Sequence, residues 1–509
     1  MRRTHALVVL LFTAVAGATA AFCAKQETPV PAAANAAPAP TPAGGGKIPV
    51  TTASADAKAE FIQGRDLAEK LQVTDSNQHF QKAVSLDPSF ALAELNLANT
   101  APTGKEFFEH LNKAVALAGK VSNGEKLLIL ATQDGANNDA VKQKEHLEAL
   151  VAAYPDDERA HFNLGGYYFG QQDYTKAIEH YRKATELAPS YSTAYNILGY
   201  AYRQSGDYAS AERAFQKYVQ QIPNDPNPYD SYGELLLKMG RFDDSIAQYR
   251  KALAVNPNFV NAHQGIAMDL LYSGRAAEAE KELAEFSRKA RNDGEKRTAL
   301  FARTVVHLDA GQTARALADV DEQYALGQKS NDVPVMAFDR GLKALILLES
   351  GKADAAKKEY DAGFELVQQS NLSQEVKDNA KLVHHYNMAR VALAKNDVAG
   401  AKKEADEFRQ GAATAKNPFT VKNSHELDGI IALAEKNYDK AIAELQQANQ
   451  QNPQDSYRLC LAYAGKGDTA KAAEMCAKAA DFNGLPSVNY AFVRTKAKAR
   501  AGIGGAKKA

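Results

Sequence analysis

A single period constrains this chain more than any other feature. Pro155, Pro189, Pro223 and Pro257 are each 34 residues apart; Gly165, Gly199 and Gly233 keep the same interval, and so do Gly206, Gly240 and Gly274. Three interleaved ladders with one spacing mark a repeated unit, which must stack on its neighbours because one unit alone cannot bury its apolar face. His161, Leu164, Gly165 and Tyr168 fall three and four apart, on one face of a helix. The next rungs place Tyr195, Leu198, Gly199 and Tyr202, then Tyr229, Tyr232, Gly233 and Leu236, in the same positions. The glycine lets a second helix approach closely. That helix carries Ala177 and Tyr181, Ala211 and Phe215, or Ser245 and Tyr249. Proline then ends it, since proline cannot donate the next intrahelical bond and disfavours helix in the residue before it. Gly206, Gly240 and Gly274 fall between the two helices, where a helix C-terminus favours positive φ.

This helix hairpin resembles the tetratricopeptide repeat, whose pattern runs Trp, Leu-Gly, Tyr, Ala, Phe and Pro. The match is close over residues 158–291, read as four consecutive units. The chain has no Trp, and His161, Tyr195, Tyr229 and His263 take its place. His385 and His425 take the same place in later units, as packing rings rather than metal ligands. Looser units flank the centre. Gly64, Phe80, Ala83 and Pro88 outline one upstream, and Leu127, Leu130, Leu147 and Pro155 another; residues 91–120 read as helical but off-frame. Downstream units gather around Gly311, Gly351, Asn396 and Tyr438, with a last one from Leu459 to Ala479. The resemblance implies an all-α, TPR-like right-handed superhelical solenoid of about eleven helix hairpins.

The first twenty residues have the layout of a secretory signal peptide: Arg2 and Arg3, an apolar run from Ala6 to Val15, and the small residues Ala18-Thr19-Ala20. The run is shorter than the about 20 apolar residues of a transmembrane span. Cys23 stands where a lipid-modified N-terminus would need it, but Phe22 precedes it where a small residue is usual, so lipid attachment and an ordinary cleavage site both stay open. Residues 24–55 hold six prolines and Gly44-Gly45-Gly46 and read as a disordered linker. The expected organisation is a signal peptide at 1–20, an Ala/Pro-rich linker at 21–55 and degenerate helical repeats at 56–157. Well-matched units at 158–291, degenerate units at 292–421, C-terminal units at 422–493 and a basic tail at 494–509 complete it. The expected location is periplasmic or outer-membrane-associated, with no transmembrane span in the mature chain.

Lys plus Arg equals Asp plus Glu at 61 each, so no overall charge points to nucleic acid. Without Arg2, Arg3 and the six basic residues from Arg494 on, 53 basic residues face 61 acidic ones: an acidic rod with a basic tail. The repeats leave no segment long enough for a catalytic domain. The chain carries no phosphate loop, His-Glu-x-x-His pair, Cys-x-x-Cys or Gly-x-Ser-x-Gly. No enzyme activity and no cofactor are expected.

In arrays of this kind the first helices line the concave face on which partner segments lie. By position, that face presents Arg159, Phe162, Phe169, Asn196, Tyr200, Arg203, Asp230, Glu234, Lys238, Gln264, Met268 and Tyr272. Phe162 and Phe169, seven apart, form a stripe beside Tyr200, a mixed aromatic and polar groove for a protein segment; the alternative is that these rings pack inside the array. Asp230 and Glu234 stand where a carboxylate clamp would need cations. Cys460 and Cys476 sit on the two helices of the last hairpin, where the antiparallel register places them about one turn out of line; a disulfide and two buried thiols both stay open. The function expected is an exported scaffold binding other proteins of the cell envelope. A self-assembling envelope protein, a homo-oligomer, and a carbohydrate- or peptidoglycan-binding module are the alternatives.

Overall fold

The computed structural model describes residues 46–101, 104–137, 139–372, 374–414 and 418–502. The expected signal peptide, Cys23 and most of the linker lie outside the described residues. Those described form 25 α-helices and one short 3₁₀ helix, with no strand. The hairpins are α1 (Ala55–Ala68) with α2 (Val73–Leu86), α3 (Ala91–Asn99) with α4 (Gly104–Leu117), and α5 (Asn123–Ala136) with α6 (Ala140–Ala153). Then come α7 (Glu158–Gly170) with α8 (Tyr174–Leu187), α9 (Ser192–Ser205) with α10 (Tyr208–Gln221), α11 (Pro226–Lys238) with α12 (Phe242–Val255), and α13 (Val260–Tyr272) with α14 (Ala276–Lys289). Longer pairs follow: α15 (Asp293–Asp309) with α16 (Thr313–Ser330), α17 (Val333–Glu349) with α18 (Ala353–Gln368), and α19 (Gln374–Ala394) with α20 (Val398–Thr414). The series ends with α21 (Pro418–Ala434) and α22 (Tyr438–Leu445), α23 (Pro453–Lys466) and α24 (Thr469–Ala480), and a last single helix, α25 (Val488–Arg500). This is an all-α, tetratricopeptide-type solenoid. It falls into two compact units that divide within α11, one ending at Tyr232 and the other beginning at Gly233. No described helix is long and apolar enough to cross a membrane.

One register builds the hairpins. A small residue on the first helix faces a large one 16 positions later on the second. A Cβ placed on Gly64 would lie 2.8 Å from the Phe80 ring, on Gly165 2.9 Å from Tyr181, on Gly199 2.7 Å from Phe215, on Gly233 3.0 Å from Tyr249, and on Gly429 2.6 Å from Leu445. Only glycine lets the rings reach the facing backbone, and Phe80, Tyr181, Phe215, Tyr249 and Leu445 are all buried there. Ala98 and Ala114 keep the same separation and are also buried. The off-frame stretch is therefore α3 and α4, an ordinary hairpin that brings the number to twelve rather than eleven.

Turns between paired helices are left-handed where the period placed glycine. Gly206, Gly240 and Gly274 have φ of 85°, 73° and 85°, and Gln172, Asn396 and Lys436 take the same slot at φ near 60°. Asp173, Asp207, Asn437 and Asp468 then cap the second helix through their side chains.

Cys460 and Cys476 are bonded, with Cα atoms 5.2 Å apart. They too are 16 residues apart and occupy the slot that Gly165 and Tyr181 occupy in their hairpin. The one-turn offset expected from the antiparallel geometry is absent, since the two residues face each other in the 16-residue register of the other hairpins.

Gly199→Leu would drive a side chain into the Phe215 ring and is expected to cost at least about 1–3 kcal/mol. Chemical denaturation of the two proteins would show it as a lower midpoint; an unchanged midpoint would contradict the register.

Candidate functional site

The first-helix face of the N-terminal unit is already in use by the chain itself. The segment Lys47–Thr52, expected in the linker, runs across the beginnings of α7 and α5 and reaches the end of α2. The Ile48 amide donates to Asp157 (2.8 Å), the Thr51 amide to Glu125 (2.8 Å), the Thr51 hydroxyl to Glu125 (2.5 Å) and the Thr52 hydroxyl to Asp87 (2.5 Å). Lys47 donates to the Asp156 carbonyl (2.9 Å) and pairs with Glu158. Asp157 caps α7, and Glu158 and Glu125 lie in the first turns of α7 and α5, where negative charge meets the positive end of the helix dipole; Asp87 ends α2. Glu69, just past the end of α1, pairs with Arg159 (2.7 Å), and its carbonyl accepts from Ser192 (3.0 Å) and Thr193. Burial raises the Glu69 carboxyl above its usual range despite Arg159.

The proposed groove residues of this unit serve the array more than an open surface. Arg159 is held between Glu69 and Glu158. The Phe162 ring packs 5.6 Å from Tyr181 and 5.1 Å from Tyr191, and Phe169 is buried edge-on to Tyr174 at 5.5 Å. Phe169 is a core ring, while Phe162 is half-buried with its ring against the core. Asn196 is buried. Tyr200 remains half-buried; its hydroxyl donates to Ser231 (3.2 Å), its ring stands edge-on to Phe215, and the Arg203 guanidinium lies 4.8 Å over it. Asp230 is half-buried.

In the C-terminal unit, Glu234 and Met268 are buried and Gln264 is half-buried. Lys238 and Tyr272 converge on the segment before α25. Lys238 donates to the Phe482 carbonyl (2.5 Å), and the Tyr272 hydroxyl donates to that of Gly484 (3.0 Å). Arg494, expected at the start of a loose basic tail, lies inside α25 and pairs with Asp309 at 2.6 Å. The helix runs to Arg500 and stops before Gly502, which has φ 72°.

Two constellations escaped the sequence reading. The His at the Trp place is hydrogen-bonded to the residue 19 positions on: His263 to Glu282 (2.7 Å), His385 to Glu404 (2.7 Å), His425 to Glu444 (2.8 Å) and His161 to His180 (3.1 Å). A search for acidic residues at +19 would have found three of the four. The second is a charge cluster, in which Arg458 bridges Glu426 and the buried Asp455 (2.7 Å). Burial and the Glu426 charge raise the Asp455 carboxyl.

The tetratricopeptide-repeat family profile matches residues 144–192, 167–226 and 227–259. The matches span α7 to α12, so these hairpins carry the tetratricopeptide-repeat pattern. No curated protein matches the sequence. Among solved structures, a tetratricopeptide-repeat protein from Parabacteroides merdae is 18% identical over 51% of this chain and 98% of its own, with a TM-score of 0.38. MamA from Desulfovibrio magneticus is 15% identical over 32% and 93%, with a TM-score of 0.30. YrrB, described as a repeat protein with an unusual peptide-binding site, is 20% identical over 37% and 95%, with a TM-score of 0.27.

Asp269, on α13, offers a test of the packing. Burial pushes its carboxyl up to about 8, and the neighbouring Ser245 hydroxyl donates its proton to the Gly233 carbonyl (2.8 Å). The folded protein holds this proton more tightly than the unfolded chain, whose value is near 3.8. Stability therefore falls as pH rises between those two values. Asp269→Asn lacks that fall, so melting temperatures of variant and parent should diverge steadily in the variant's favour from pH 4 to 8. Parallel profiles would show that the carboxyl is solvated.

Proposed function

We propose that this chain is a non-catalytic scaffold of the cell envelope that binds segments of other proteins along its first-helix faces. The observation that carries the reading is that these faces already hold polypeptide. In one unit a ladder of carboxylates takes the backbone amides of Ile48 and Thr51; in the other, Lys238 and Tyr272 take backbone carbonyls. Donors and acceptors aimed at main chain grip a segment whatever its side chains, while half-buried groups such as Tyr200, Arg203, Asp230 and Gln264 supply selectivity. Tetratricopeptide repeats act in general as protein-binding scaffolds rather than catalysts, in line with this reading.

Export is part of the proposal. The leader motif supports it, and so does the Cys460–Cys476 bond, since disulfides persist in oxidising compartments and are rare in the cytosol. Protein recovered from envelope fractions is expected to lack residues 1–20 and to leave Cys460 and Cys476 unalkylated until reduced, as read by intact mass. A retained leader or two free thiols would overturn the location.

Capture from envelope fractions tests the binding role. The mature chain should enrich a small set of envelope proteins, and Arg203→Glu with Asp230→Lys should lose them while melting near the parent. Recovery of bait alone, or equal capture by the variant, would refute the reading.

A further inference from the structure

The segment from Phe482 to Arg494 makes contacts of the kind that a bound ligand makes. Inside the hairpins the closest contact sets a small residue against a large apolar one, with polar pairs such as His263–Glu282 and Arg303–Asp319 beside it. The junction with α25 is built from aromatic and charged anchors. Tyr490 is fully buried, with its ring 5.2 Å from Tyr272 and 5.3 Å from Phe482. Arg494, one helical turn further on the same face, reaches Asp309 with two nitrogens and lies 5.3 Å over the Tyr272 ring. Lys238 lies 4.9 Å over the Phe482 ring as well as bonding its carbonyl. Buried aromatics and arginine are the residues that dominate interfaces between separate chains.

The connection is also suited to release. Residues 481–487 carry no helix, and Asn483 has φ 36°. Upstream, the Cys460–Cys476 bond staples α23 to α24, so α25 can leave without opening that hairpin. The ion pair is exchangeable too: Asp309 is buried, and without Arg494 it would be left uncompensated until another cation arrived.

We propose that Lys238, Tyr272 and Asp309 form a docking groove for a helical segment bearing an aromatic residue and, four positions on, an arginine. The chain keeps this groove filled with its own C-terminal helix until a partner segment of the same pattern takes its place. The identity of that partner rests on the scaffold reading; the groove does not. The alternative is that α25 is only the cap of the array, since it also packs along α24 as a further first helix would.

A labelled synthetic peptide of residues 481–500 serves as the probe, titrated into the full-length chain. Arg494→Glu sets the resident helix against Asp309, and this variant should bind the peptide saturably, on the order of tenfold more tightly than the parent. Asp309→Arg combined with Arg494→Glu restores the pair with reversed sign; it should melt near the parent and reject the peptide. A folded Arg494→Glu chain that binds no better than the parent would overturn the groove, as would equal binding by the charge-reversed chain. Should Arg494→Glu not fold, hydrogen exchange of the parent decides: α25 amides should exchange ahead of those in α23 and α24, and simultaneous exchange would make α25 a cap. Peptide binding without capture of envelope proteins would count against the scaffold reading alone, and capture without peptide binding against the groove alone.

Discussion

The structure depends on one contact repeated along the chain: a small residue on a first helix and a large one 16 positions later on the second. Where the small residue is glycine, the ring sits nearly on the facing backbone, as Phe215 does on Gly199 and Tyr249 on Gly233. The close approach sets the distance between paired helices and brings the His of the Trp place onto its partner at +19. It also brings Cys460 and Cys476 to 5.2 Å between Cα atoms. A disulfide thus stands where other hairpins place glycine and an aromatic ring, with Cα atoms within the reach that a disulfide needs.

Much of the fold was legible because the contact has a sequence signature. Gly165, Gly199 and Gly233 announce it, and so do the left-handed turns at Gly206, Gly240 and Gly274. Legibility faded for two physical reasons. In α3 and α4 the pair is Ala98 with Ala114, which packs by the same geometry but carries neither a glycine nor a ring. From α15 to α21 the helices lengthen to between 16 and 21 residues, so the 34-residue ladder loses step, and the 16-residue approach returns at Gly429 and Leu445.

The face for partners was harder to read, because helical spacing names which residues share a face and not what covers it. Phe162 and Phe169 share a face and are consumed by neighbouring rings. Lys238 and Tyr272 share one and meet residues more than 200 positions later. Lys47–Thr52 read as linker by composition, yet its amides find Asp157 and Glu125. The last two are long-range pairings, and no local pattern encodes them. What the last two have in common is that first helices present polar groups to main chain, and the sequence's own flanking segments answer them.

That common feature is the central claim, and it is open to a direct test in the unmodified mature protein. Zero-length carbodiimide cross-linking joins a lysine to a carboxylate only when the two are in contact, and Lys47 contacts Glu158. The expected result is a Lys47–Glu158 link within monomers, recovered by peptide mapping at low protein concentration. If Lys47 instead remains unlinked, or links to carboxylates scattered over the surface, the first-helix face does not hold its own arm, and the account of it as a polypeptide-binding surface is wrong.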